Sequence, residues 1–150
     1  MTDSYSGDIE RELRLYGSFA VCAKGNSMKP LLRNQRDMLI IETPESEPSK
    51  YDIVLYRDNK GRYILHRIVR VKAREYLIRG DNSYTDEIVP KERVIGILTA
   101  YNKDGKRYEA HSRKALIYAR FWVFIYPLRK LFHKLSSLVR RAVRKIFKKR

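Results

Sequence analysis

Residues 63–71 read YILHRIVRV, nine residues dominated by Ile, Val, Leu and Tyr and free of glycine and proline. Such a run predicts a β-strand. Alternate side chains of a strand point to opposite faces, so His66 shares a face with Ile64 and Ile68, while Leu65, Arg67 and Val69 face the other way. A histidine on an apolar face reads first as a core residue whose hydrogen bonds are satisfied. Its chemistry also suits a base. Imidazole, with an ordinary pKa of about 6.5, accepts a proton near neutral pH, whereas a lysine at about 10.4 first needs strong desolvation.

Outward from this run, residues 18–23, 37–42, 53–56, 75–78 and 94–101 are further short apolar or alternating segments rich in Val, Ile and Tyr. Turn residues separate them: Lys24-Gly25-Asn26, Asn34, Asp58-Asn59-Lys60-Gly61, Gly80-Asp81-Asn82 and Asp104-Gly105. Six short strands joined in this way predict a mainly antiparallel β-fold. Residues 8–16 predict a short helix, with Ser6 as its N-cap and Ile9 and Leu13 four apart on one face. At 150 residues the chain has room for one modest core.

Three stretches set out a serine, a histidine and an aspartate in order: GNSMKP at residues 25–30, LHRIV at 65–69 and RGDN at 79–82. A serine hydroxyl is a poor nucleophile at neutral pH and needs a base, which in turn needs a group to orient it. Each residue also has a plainer reading. Ser27 alone reads as the cap of a turn, and an aspartate in Gly-Asp-Asn commonly bonds its own backbone.

Together the stretches resemble the signal peptidase I family, and more closely its archaeal and eukaryotic microsomal branch, which has histidine where the bacterial branch has lysine. Gly25, Ser27, Met28 and Pro30 match its G-x-S-M-x-P box, and YDIVLY at 51–56 matches G-D-I-V-V-Y. His66, Arg67, Ile68 and Val69 match H-R-I-V; Gly80, Asp81 and Asn82 match G-D-N; VIGI at 94–97 matches the closing strand. The resemblance covers about residues 17–101. It implies coiled antiparallel β-sheets forming a barrel-like body, with Ser27 as nucleophile, His66 as general base and Asp81 as the orienting carboxylate; Asp86 is a rival for that last role. The chain departs from the pattern at three points. The polar first residues are not expected to form the family's spanning N-terminal anchor, the second aspartate of the microsomal pattern is Glu87, and Gly25 stands where some members have a serine. The last leaves the Ser27 backbone N–H as the obvious oxyanion donor. The related self-cleaving repressors fit less well, because there is no Ala-Gly cleavage site and no lysine at position 66.

The formal net charge of +16 is unevenly spread. No acidic residue follows Glu109, and residues 113–150 hold thirteen Lys and Arg, which leaves the rest nearly balanced. This divides the chain into a β-domain at 1–112, which the resemblance implies is catalytic, and an expected helical tail at 113–150. Within the tail, ALIYARFWVFIYPL at 115–128 is too short for a spanning helix of about twenty residues, and its aromatic composition reads as an interfacial belt in preference to core. Beyond it, Leu128, Leu131, Phe132, Leu135, Leu138, Val139, Ala142, Val143, Ile146 and Phe147 form an apolar stripe opposed by basic residues. That amphipathic helix predicts attachment to an anionic membrane surface, at about 1 kcal/mol per basic residue near the headgroups.

Cys22 is the one cysteine, so no internal disulfide is expected, and the polar N-terminal stretch does not read as a signal peptide. The expected place is therefore the cytoplasmic face of a membrane, held peripherally. Cys22, His66, His111 and His133 lack metal-ligand spacing, and no phosphate-binding glycine loop appears, so neither metal nor cofactor is expected. The expected function is a signal-peptidase-like serine endopeptidase acting on a peptide or a precursor protein, such as one with a leader. The alternatives are an inactive relative that binds peptides or membranes, and a nucleic-acid-binding protein acting through its tail. Nucleic acid is not favoured, because an apolar stripe has no use in phosphate binding.

Overall fold

Strand β4 (Tyr63–Val71) occupies the run quoted above, in a computed structural model that describes residues 6–147. Its neighbours are β3 (Ile53–Arg57) and β5 (Glu75–Arg79), both antiparallel to it. The other strands are β1 (Ser18–Cys22), β2 (Met38–Glu42), β6 (Glu87–Pro90), β7 (Val94–Lys103) and β8 (Lys106–Glu109). The sheet runs in the order β1-β2-β7-β3-β4-β5-β6, and β8 adds to β7. The long β7 pairs with β3 through its first half and β8 through its second, with β2 along its other side.

The fold is mainly β and antiparallel with a C-terminal helical part, as the turn-separated runs and the tail require. Among the described residues the sheet does not close completely, because β1 and β6, at the two ends of its path, do not pair with each other. Among the described residues eight strands form where six were expected. The additional β6 and β8 are four residues each; β6 ends on Pro90 and every residue of β8 is exposed, so neither carries an alternating apolar signal.

Apolar side chains gather in two clusters. One joins Ile9 and Leu13 of helix α1 (Ser6–Tyr16) to Phe19, Leu39, Ile41, Leu55 and Leu98 of the sheet, with Met28 and Leu32 from the β1–β2 loop. The other holds Val54, Tyr56, Ile68, Tyr76, Ile78 and Val89. The spacing of Ile9 and Leu13 thus seats α1 on the sheet, one turn of helix apart. The Ser6 side chain, expected as a cap, lies outside the described side chains.

Two helices follow the sheet, α2 (Arg113–Phe124) and α3 (Tyr126–Phe147). The Ser112 hydroxyl accepts the Ala115 N–H at 3.3 Å and caps α2. Pro127 falls in the first turn of α3, where no N–H is needed. The aromatic stretch, read above as belt in preference to core, turns two ways. Ala119 is buried, and Tyr118, Trp122 and Tyr126 hydrogen-bond to the body, whereas Ile117, Phe121, Phe124 and Leu128 are exposed. That outer row continues on α3 through Leu131, Phe132, Leu135 and Leu138. The side chains expected to extend the stripe, Val139, Ala142, Val143, Ile146 and Phe147, lie outside the described ones. No helix among the described residues is long and apolar enough to cross a membrane.

Leu13→Ala should lower unfolding stability by about 2–5 kcal/mol, because it empties the contact between α1 and the sheet. Urea denaturation measures this, and an unchanged midpoint would mean that α1 does not bear on the core.

Candidate active site

Ser27 sits in the loop between β1 and β2, and that loop is pinned from within. Asp37, fully buried, accepts the Arg33 backbone N–H at 2.8 Å and its Nε and Nη2 at 2.9 and 2.7 Å. Met28 and Leu32, on either side of the turn, are buried in the first cluster. Gly25 has φ +88° and donates its N–H to Asn34 Oδ1 at 2.8 Å. A serine at this position would be strained there, which accounts for the glycine where some of the resembled proteins have a hydroxyl. Among the described residues the Ser27 N–H has no acceptor, and no hydrogen bond links the Ser27 hydroxyl to His66.

What brings serine and histidine together is Gly80. A methyl group there would stand 2.7 Å from the Ser27 carbonyl oxygen, 2.9 Å from His66 Nε2 and 3.0 Å from Ser27 Cβ. Only a residue without a side chain fits between them. The next turn fastens the same seam: the Asn82 N–H donates to the Ser27 carbonyl at 2.6 Å, and Asn82 Nδ2 to the Asn26 carbonyl at 3.2 Å.

His66 is buried, with its second nitrogen turned to a polar pair. Nδ1 lies 3.3 Å from the Tyr56 hydroxyl and 3.4 Å from Glu87 Oε1, while the Tyr56 hydroxyl donates to Glu87 Oε2 at 2.8 Å. Burial, and then the bond to Glu87, push the Tyr56 phenol above its ordinary pKa, so it keeps its proton. Because that proton goes to Glu87, the phenol oxygen can only accept from the ring, which places the imidazole proton on Nδ1. Nε2 then presents its lone pair toward Gly80 and Ser27. Burial lowers the His66 pKa below 6.5, opposed by the charges of Glu87 and then Asp81, so the ring is neutral and basic at neutral pH.

Asp81 and Asp86, the carboxylates expected at the ring, bind arginines. Asp81 accepts Arg67 Nε at 2.8 Å and Nη2 at 2.7 Å, with the two side chains only 4% and 2% exposed. Asp86 pairs with Arg79. Strand register explains the exchange. Arg67 pairs across to Arg79, and Asp81, two residues on, shares their face; Ile68 pairs with Ile78 and Ile78 with Glu87, so Glu87 shares the face of His66. The carboxylate at Nδ1 is therefore Glu87. Its signal was its place in the resembled pattern, at the second aspartate; Tyr56 had none beyond its strand.

The constellation has the parts of a Ser–His–carboxylate hydrolytic site: a hydroxyl, an oriented neutral imidazole and an unpaired N–H beside the hydroxyl. Among the described residues no cluster of His, Cys, Asp and Glu is arranged to hold a metal ion. The family model described as Peptidase S24-like matches residues 9–99, which takes in Ser27, His66 and the Gly80–Asn82 turn. No curated protein matches the chain.

Gly80→Ala should push the Ser27 turn and His66 apart and slow labelling of Ser27 by a fluorophosphonate about tenfold or more; labelling at the wild-type rate would show that the close approach is dispensable. His66 should titrate below 6.5 by NMR, and lower still in Glu87→Gln, where the charge that favours imidazolium is gone. From 6.5 down to the folded pKa, the unfolded chain binds a proton that the folded chain refuses. Stability should therefore fall with pH across that window. An upward shift in Glu87→Gln would refute the pairing.

Proposed function

The chain belongs to the Peptidase S24-like family, and from that premise we propose that it is a signal-peptidase-like serine endopeptidase with Ser27 as nucleophile and His66 as general base. The observation that carries this reading is the fit at Gly80, where the missing side chain leaves Ser27 Cβ and His66 Nε2 against the same point. Ser27 Oγ attacks a peptide carbonyl as Nε2 takes its proton. The tetrahedral oxyanion draws on the unpaired Ser27 N–H, and the proton passes from Nε2 to the departing amine. Water, deprotonated by the same nitrogen, then hydrolyses the acyl-enzyme. Glu87 and Tyr56 hold the ring by its Nδ1–H and stabilise the imidazolium formed in each half. Asp81 takes a supporting place, bound to Arg67.

The substrate in this reading is an extended peptide or the leader of a precursor protein. The enzyme is held peripherally on an anionic membrane, on its cytoplasmic face, by the tail. Support for the membrane comes from the exposed row Ile117, Phe121, Phe124, Leu128, Leu131 and Leu135, which lies on helices with no acidic residue.

Ser27→Ala and His66→Ala should each cut cleavage of a peptide library by about a thousandfold or more; equal turnover by all three proteins would exclude this mechanism. Vesicles containing phosphatidylserine should float the wild type, and a Phe124→Ser/Leu131→Ser/Leu135→Ser variant should stay at the bottom of the gradient. Retention of RNA without flotation would favour the nucleic-acid reading of the tail.

A further inference from the structure

The hydrogen bonds and ring contacts between the C-terminal helices and the sheet are concentrated at one place. Trp122 Nε1 and Arg129 Nη2 both donate to the Asp81 carbonyl, each at 2.8 Å. Tyr118 reaches Asp81 Oδ2 at 3.5 Å, and Tyr126 donates to the Tyr84 carbonyl at 3.0 Å. His133 stacks on Tyr84 with ring centroids 4.1 Å apart, and the Arg79 guanidinium lies 3.2 Å from the centre of the Tyr126 ring. All of these fall on residues 79–84.

That segment assembles the site. Gly80 separates Ser27 from His66, Asn82 binds the Ser27 carbonyl, and the chain runs on into β6, whose first residue is Glu87. Asp81 lies between Gly80 and Asn82, and its carbonyl would face solvent or other donors were α2 and α3 absent. Two donors converge on this single oxygen, one neutral and one charged, and the charged one stacks at 3.9 Å over the indole of the other. The seam they border, lined by Arg67, Gly80, Asp81, Trp122 and Arg129 and partly open, holds about 10 Å³, room for about one water molecule. A turn gripped so closely has little freedom to carry Gly80 away from His66.

We propose that Trp122 and Arg129 are positioning residues for the reaction: by holding the Asp81 carbonyl they fix the Gly80–Asn82 turn, and with it the approach of His66 to Ser27. The C-terminal helices are then part of the catalytic apparatus as well as a means of attachment. Neither side chain touches the reacting atoms, so their effect falls on the chemical step and leaves substrate binding alone. A misplacement of about 1 Å in such a constellation costs up to about a hundredfold in rate.

The role rests on the peptidase reading, and the test separates the two. In the full chain, Trp122→Phe keeps the ring and removes the donor, and Arg129→Met keeps the stem and removes the charge. Each should lower kcat for peptide cleavage about tenfold with KM unchanged. The double variant should lower it further, with the His66 NMR titration moved from its wild-type midpoint because the ring is less tightly enclosed. Should Trp122→Phe fail to fold, Arg129→Met, on a half-buried residue of α3, carries the same comparison. Wild-type kcat and an unmoved His66 midpoint in the double variant would overturn the proposal, as would a change confined to KM. If the wild-type protein shows no Ser27-dependent cleavage, the peptidase reading fails, and the His66 midpoint alone decides whether these residues position the ring.

Discussion

The ion pair between Arg67 and Asp81 ties three parts of the molecule together. Arg67 stands on β4 next to His66, and Asp81 stands next to Gly80 in the turn that meets Ser27; their side chains are almost wholly removed from water. Two buried charges are tolerated only when their hydrogen bonds are well satisfied. Here Asp81 accepts both arms of a bidentate contact and Tyr118 lies close by, while Arg67 Nη1 donates to the Tyr51 carbonyl at 2.9 Å. Removing one partner from such a pair typically costs about 3–5 kcal/mol, because the other charge is left buried and alone. The turn that carries Gly80 is therefore held to the strand that carries His66 by one of the most demanding contacts in the protein.

Given that anchor, the two carboxylates near the imidazole divide their work by face. Asp81 is locked to Arg67. Glu87, at the edge strand and partly open to solvent, is the one beside Nδ1, with the Tyr56 hydroxyl next to both ring and carboxylate. Burial disfavours the imidazolium, and Glu87 and Asp81 partly offset this. The balance leaves a neutral ring that can still take up a proton, such as the one a neighbouring serine hydroxyl must lose to become a nucleophile.

The C-terminal helices present opposite characters on their two sides. Inward, their polar aromatics and Arg129 satisfy backbone carbonyls of the site's own turn; outward, Phe121, Phe124 and the leucines of α3 stay exposed among basic residues. A stretch of aromatic residues therefore divides by chemistry. The rings with a donor, Tyr118, Trp122 and Tyr126, face the protein, and the phenylalanines face away, as expected when buried rings must also place an N–H or O–H.

Six of the eight strands, the α1 packing residues and the turns between them were legible in the chain, because period-two alternation and turn residues act over a few neighbours and leave a local record. The stretches around Ser27 and His66 and the Gly80–Asn82 turn were legible as motifs for the same reason, and the structure brings all three together at Gly80. The choice among Asp81, Asp86 and Glu87 was not legible. Which carboxylate meets the ring depends on the parity of pairing across β4, β5 and β6, and β4 and β5 shift register between Ile68 and Arg70. A shift of one residue exchanges the faces of a strand, and nothing local to an aspartate records it. The inward turn of Trp122 belongs to the same category. Local alternation and turn chemistry are enough to mark the strands and the residues that carry the chemistry; which of those residues face one another is set by pairing between segments far apart in the chain, and so emerges with the fold.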